Sequence, residues 1–97
     1  MKICTKESLR SALRELTERL AAIEHERWAH WQRYMHGKGV RQADGSMLIA
    51  ADLVARWEKQ MMTAYGELDD GQKESDRDQV KRYLPLIETR IGQLLED

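Results

Sequence analysis

The 97-residue sequence contains one cysteine, one proline, no phenylalanine and almost no excess of either charge, and each scarcity excludes something. A lone cysteine, Cys4, cannot close an internal disulfide, and near the start of the sequence with no histidine beside it the thiol is expected to be reduced and inert. Sixteen Lys and Arg stand against seventeen Asp and Glu. The two signs are interspersed, so the concentrated positive face that duplex nucleic acid requires is missing and nucleic acid is not an expected partner. The longest apolar runs, such as Leu20-Ala21-Ala22-Ile23, fall far below the ~18 residues needed to cross a bilayer, so no membrane partner is expected. Met1-Lys2-Ile3-Cys4 leads directly into charge and a helix start, without the apolar stretch and cleavage site of a secretory leader, and a cytoplasmic location is the expectation. Also missing are a glycine-rich phosphate loop, a serine nucleophile elbow and a Cys-His pair.

What is present is helical periodicity. With 41% hydrophobic and 34% charged residues, the chain reads as a single globular domain over residues 1–97. Thr5 can cap a helix whose Leu9, Leu13, Leu16, Leu20 and Ile23 recur at steps of three and four. No Pro or Gly interrupts that pattern before Gly37. Continued to His36, the helix holds about thirty residues and spans roughly 45 Å. Such a length of leucine stripe needs cover from the C-terminal helix or a second protomer, so a homodimer is expected.

Gly37 and Gly39 then end the helix, and Val40 to Ile49 surrounds Asp44-Gly45, a pair suited to a tight hairpin turn. A second helix from about Ala50 to Met62 places Leu53, Val54, Trp57 and Met61 on one side. Thr63 to Leu68 reads as a loop. Asp69 and Gln72 form a capping-box signature for a last helix carrying Val80, Tyr83, Leu84, Ile87, Ile91, Leu94 and Leu95. Pro85 inside that pattern should kink or divide it near Arg82 to Leu84. The expected fold is therefore all-α: a small bundle of three or four helices with a long N-terminal helix and a minor β-hairpin insert.

The residues that could carry chemistry are few. His25 and His30 are five apart, about 140° around a helix, and His36 lies about 16 Å beyond His25, so the three cannot share a metal. Glu15 with Glu18 is half of a paired acidic magnesium motif, but the remaining cluster, Glu67, Asp69, Asp70, Glu74, Asp76 and Asp78, sits far downstream where helix starts favour negative charge. No metal, no cofactor and no catalytic residue is expected. The aromatic residues say more. Trp28, Trp31, Tyr34, Trp57, Tyr65 and Tyr83 all carry a polar handle, the chemistry favoured where one side of a ring is packed and the other meets water, ligand or partner. Trp28, Trp31 and Met35 stand at helical spacing, either in the core between the first and last helices or against a ligand. Glu24 and Arg27 fall on the same packing stripe, which would bury charge and call for partners such as Lys73, Asp76 or Arg77.

Two segments, His25-Glu26-Arg27-Trp28-Ala29 and Tyr65-Gly66-Glu67-Leu68-Asp69-Asp70-Gly71-Gln72-Lys73-Glu74-Ser75-Asp76-Arg77, resemble the ends of the RyR domain, the repeat named for the ryanodine receptor and also found in bacterial and phage proteins. The likeness covers roughly residues 20–86. Between its ends, Tyr34-Met35-His36-Gly37 stands in place of the family's Gly-Trp-x-x-Gly step, and Thr63-Ala64 in place of its Pro before the Tyr. The resemblance implies a small helical binding module without catalytic activity, of a free-standing phage or prophage type, that captures a nucleotide-derived signal of a host defence. His25, Arg27, Trp28, Trp31, Tyr65, Lys73 and Arg77 are then the expected ligand-binding residues, with rings stacking a base and cations meeting phosphate. The alternative is a homodimeric helical adaptor that binds another protein.

Overall fold

A computed structural model describes residues 4–96; Met1 to Ile3, on which the expectation of no secretory leader partly rests, and Asp97 lie outside the described residues. Among those described the fold is mostly α-helical, with four helices and one two-stranded antiparallel hairpin: α1 (Lys6–Arg14), α2 (Thr17–Lys38), β1 (Val40–Arg41), β2 (Met47–Leu48), α3 (Ala51–Met62) and α4 (Asp70–Leu95). A single 3-10 turn, Tyr65–Glu67, lies between α3 and α4. No described helix is long and apolar enough to cross a membrane.

Thr5 caps α1 as its hydroxyl chemistry dictates. Its Oγ1 accepts from the Ser8 amide at 3.0 Å while the Ser8 hydroxyl accepts from the Thr5 amide at 2.8 Å, so two otherwise orphaned donors are satisfied reciprocally. The expected continuous helix from Thr5 to His36 is, however, broken at Glu15 and Leu16. Neither Gly nor Pro is involved. The Leu16 amide turns to the Leu13 carbonyl at 3.1 Å, a tighter 3-10 closure, and the Thr17 hydroxyl donates to the Arg14 carbonyl at 2.6 Å. That side-chain bond takes over a carbonyl that the backbone ladder would otherwise use. The break turns Leu16 inward, leaving it 4% exposed.

The hairpin forms where Asp44-Gly45 predicts it, with Val40 opposite Leu48 and Arg41 opposite Met47. Gly45 takes φ +90°, a conformation open to glycine without steric cost. Asp44 Oδ1 accepts from the Ser46 amide at 2.9 Å and from the Ser46 hydroxyl at 2.5 Å. These bonds, the hydroxyl's first, hold the Asp44 carboxyl below its usual range. Asp69 opens α4 by accepting from the Gln72 amide at 2.8 Å. Of the two outcomes expected at Pro85, a kink or a division, division does not occur: α4 runs unbroken through it. The half-buried residues Gln79, Tyr83, Leu86, Ile87, Arg90, Ile91 and Leu94 run at helical steps through the proline, which itself faces solvent. One missing rung is tolerated because the packed stripe continues on both sides of it.

The chain divides into two compact units, one of Met1–Arg27 with Asp76–Asp97, the other of Trp28–Ser75. In the first, Ala12 and Leu16 are the buried hydrophobic residues, backed by half-buried Leu9, Leu20 and Ile23 and by the α4 stripe. Two ion pairs link α2 and its start to α4: Arg90 donates to Glu15 at 2.8 Å, and Arg82 pairs with Glu26. Because the α4 partner moves forward as the α2 partner moves back, the two helices run antiparallel in this unit. In the second unit no described side chain is fully buried; Ala29, Gln32, Met35, Met47, Ile49, Leu53, Trp57, Thr63 and Leu68 are half-buried.

The covered face of α2 also changes along its length. Leu16, Leu20 and Ile23 recur at steps of four and three, whereas the next covered positions are Ala29, Gln32 and Met35, and every residue from 24 to 28 is exposed.

Candidate functional site

The aromatic residues of the second unit gather into an array. Tyr34 stands one turn after Trp31 on α2, and the two rings meet edge to face at 5.6 Å between centroids and 88°. Trp57, brought from α3, meets Tyr34 at 6.4 Å and 56°, and His30 meets Trp31 edge-on at 6.2 Å. Each such contact contributes about 0.5–1.5 kcal/mol beyond its area. Lys38, one turn after Tyr34, places its ammonium 5.6 Å from the Tyr34 ring centre, and Lys73 does the same over Tyr65 at 5.9 Å. At this exposure each cation–π contact is worth about 0.5–1 kcal/mol. The rings are far from enclosed: Trp28 is 60%, Trp31 43%, Tyr34 40% and Tyr65 50% exposed. Trp28 and Trp31 are thus more open to solvent than core packing would make them.

The first unit holds an open cleft of about 280 Å³ lined by Ile23, Glu24 and Arg27 of α2 and Asp76, Gln79, Val80 and Tyr83 of α4. Arg27 donates to Glu24 at 2.5 Å, and their side chains are 47% and 56% exposed. The charges expected to lie buried against the packing face instead neutralise each other in water, one helical turn apart. Glu15 and Glu26 reach α4 through ion pairs with Arg90 and Arg82. A second cleft, of about 340 Å³ in the second unit, is lined by the polar residues Arg56, Lys59, Gln60, Thr63, Glu67, Asp69 and Gln72.

The seven expected ligand residues are divided between the units. His25, Arg27 and Arg77 belong to the first; Trp28, Trp31, Tyr65 and Lys73 belong to the second. Within the second unit Lys73 meets Tyr65, and Trp31 joins the array. Tyr34, Lys38 and Trp57 complete that array and were not among the expected site residues. Tyr34 and Lys38 follow Trp31 at helical steps of three and four, a signal present in the sequence; the approach of Trp57 is made by the fold. Among the described residues no group of three His, Cys, Asp or Glu side chains could hold a metal ion. Compared with protein-family models, with curated proteins and with solved structures, the chain matches none.

Proposed function

We propose that this chain is a non-enzymatic binding module for a small nucleotide-derived ligand, with the aromatic array of α2 and α3 as its stacking face. The observation that carries the reading is the half-exposed Trp31–Tyr34–Trp57 array with the Lys38 ammonium beside it. Exposed π faces accept any base, and an adjacent ammonium supplies the charge a phosphate seeks. Tyr65 with Lys73 repeats that pairing. The RyR-like segments support the same reading and extend it to capture of a host defence signal by a phage or prophage protein. All three tryptophans lie in the second unit, so fluorescence titration with a panel of nucleotides and cyclic nucleotides, paired with calorimetry, tests it directly. Saturable quenching that Trp31→Ala removes is the expected result; a panel without response ends the proposal.

A second reading, a homodimeric adaptor for another protein, is favoured by a separate observation. Met61, Met62, Val40 and Leu48 are 77%, 83%, 65% and 62% exposed, an unusual amount of bare apolar side chain for a unit without a buried residue. Sedimentation equilibrium showing a stable dimer, together with a silent nucleotide panel, would favour this reading over the first.

A further inference from the structure

The cleft of the first unit has a chemistry unlike that of the aromatic array. Its α4 wall presents Asp76, Gln79 and Tyr83 at steps of three and four, so a carboxylate, an amide and a phenol stand in a row. Glu24 and Arg27 on the α2 wall neutralise each other at 2.5 Å, whereas Asp76 carries no ion pair among the described residues. The ionisable side chains of the cleft therefore sum to one uncompensated negative charge. Ile23 and Val80 add apolar side chains to the lining.

Gln79 is the anomaly. Its Oε1 is shut off from water and has no hydrogen-bond partner, although the side chain as a whole is half-exposed and lines the cleft. An acceptor in that state forgoes the bond it would make in water. The terminal amide torsion is soft, so a donor entering the cleft can draw the oxygen outward and satisfy it.

We propose that this cleft binds a small organic cation bearing N–H donors on a short apolar stem, an alkylammonium or alkylguanidinium group. The cationic head donates to Gln79 Oε1 and to the Asp76 carboxylate, and the stem lies on Ile23 and Val80. Tyr83 offers its hydroxyl as a further acceptor. An anionic ligand is disfavoured by Asp76 and finds Arg27 already held by Glu24. The site is independent of the nucleotide proposal, since it shares no side chain with the aromatic array.

The test is an NMR amide-shift titration of the full chain with butylammonium, butylguanidinium, tetramethylammonium and butyrate. Butylammonium and butylguanidinium should produce saturable shifts at Ile23, Gln79 and Val80. Tetramethylammonium, equal in charge but without a donor, should bind about tenfold more weakly, the effect of one lost charge-assisted hydrogen bond, and butyrate should produce none. Gln79→Met should keep the fold, because it replaces an amide whose oxygen lacks a partner, and should lose the response; Asp76→Asn should weaken it. Gln79→Glu should strengthen it, a change of sign that misfolding cannot imitate. The proposal is overturned if neither donor cation saturates, if tetramethylammonium binds equally well, or if Gln79→Met responds like the parent protein.

Discussion

In the unit built from α1, the start of α2 and most of α4, Ala12 and Leu16 are buried and the ion pairs of Glu15 with Arg90 and Glu26 with Arg82 join the helices. In the unit of Trp28–Ser75 no described side chain reaches that degree of burial, and its order comes from edge-to-face rings, a hairpin and a capped helix start. The first is organised by aliphatic side chains excluded from water, the second by directional contacts among groups that stay partly wet. Stability is therefore concentrated in the unit with the Asp76–Gln79 cleft, and exposed recognition chemistry in the other.

The sharpest way to break this comparison is Leu16→Ala, which should cost about 3–4 kcal/mol if Leu16 anchors a true core. Urea unfolding followed by far-ultraviolet dichroism and by tryptophan emission separates the units, because every tryptophan lies in the second. A loss under 1 kcal/mol would remove the distinction. Pro85→Ala should act in the opposite direction, raising stability by about 2 kcal/mol through the restored amide hydrogen bond and the better helix propensity of alanine; an unchanged midpoint would show that α4 has already absorbed the missing rung. In the second unit, a Cβ at Gly39 would stand 2.4 Å from Met47 Cγ and 3.3 Å from the Leu48 carbonyl oxygen. Gly39→Ala should cost about 1–2 kcal/mol as Met47 is pushed aside, with the hairpin amides showing the largest shifts.

Two smaller effects refine the contrast. A double-mutant cycle on Glu15 and Arg90 should give a coupling of about 0.5–1 kcal/mol that declines with added salt, since Arg90 is 26% but Glu15 59% exposed. The smallest concerns the hairpin tip. The folded state lowers the Asp44 pKa, so its contribution is present above the ordinary carboxylate pKa and is lost as pH falls through the lowered one. Carboxyl-carbon NMR should find Asp44 titrating below 3.8, and Ser46→Ala should return it toward that value.

Most of the fold was legible because it is locally encoded. Thr5, Asp44-Gly45 and Asp69 each act through bonds within four residues, and each marks the element expected of it. The break at Leu16 was hidden because it goes with the bond of the Thr17 hydroxyl to the Arg14 carbonyl, without Gly or Pro to announce it. At Pro85 the helix is not divided, since the stripe that carries α4 past it includes Gln79 and Arg90 as well as apolar residues. At the aromatic array Trp31 was legible by residue type, while Trp57 reaches Tyr34 only through the path of the chain between α2 and α3. The Glu24–Arg27 pair was misjudged because periodicity fixes a residue's angle around the helix, not the depth to which that face is covered.

The exposed stretch inside α2 bears on how this helix opens. A helix ordinarily loosens from its ends, where capping is weakest and neighbours are fewest. Here an exposed stretch, residues 24 to 28, lies well inside, where no apolar side chain is covered and the backbone ladder with polar contacts such as Glu26–Arg82 resists opening. Amide protons at the middle of α2 should exchange faster than those on either side, so that the helix frays from within as well as from its ends.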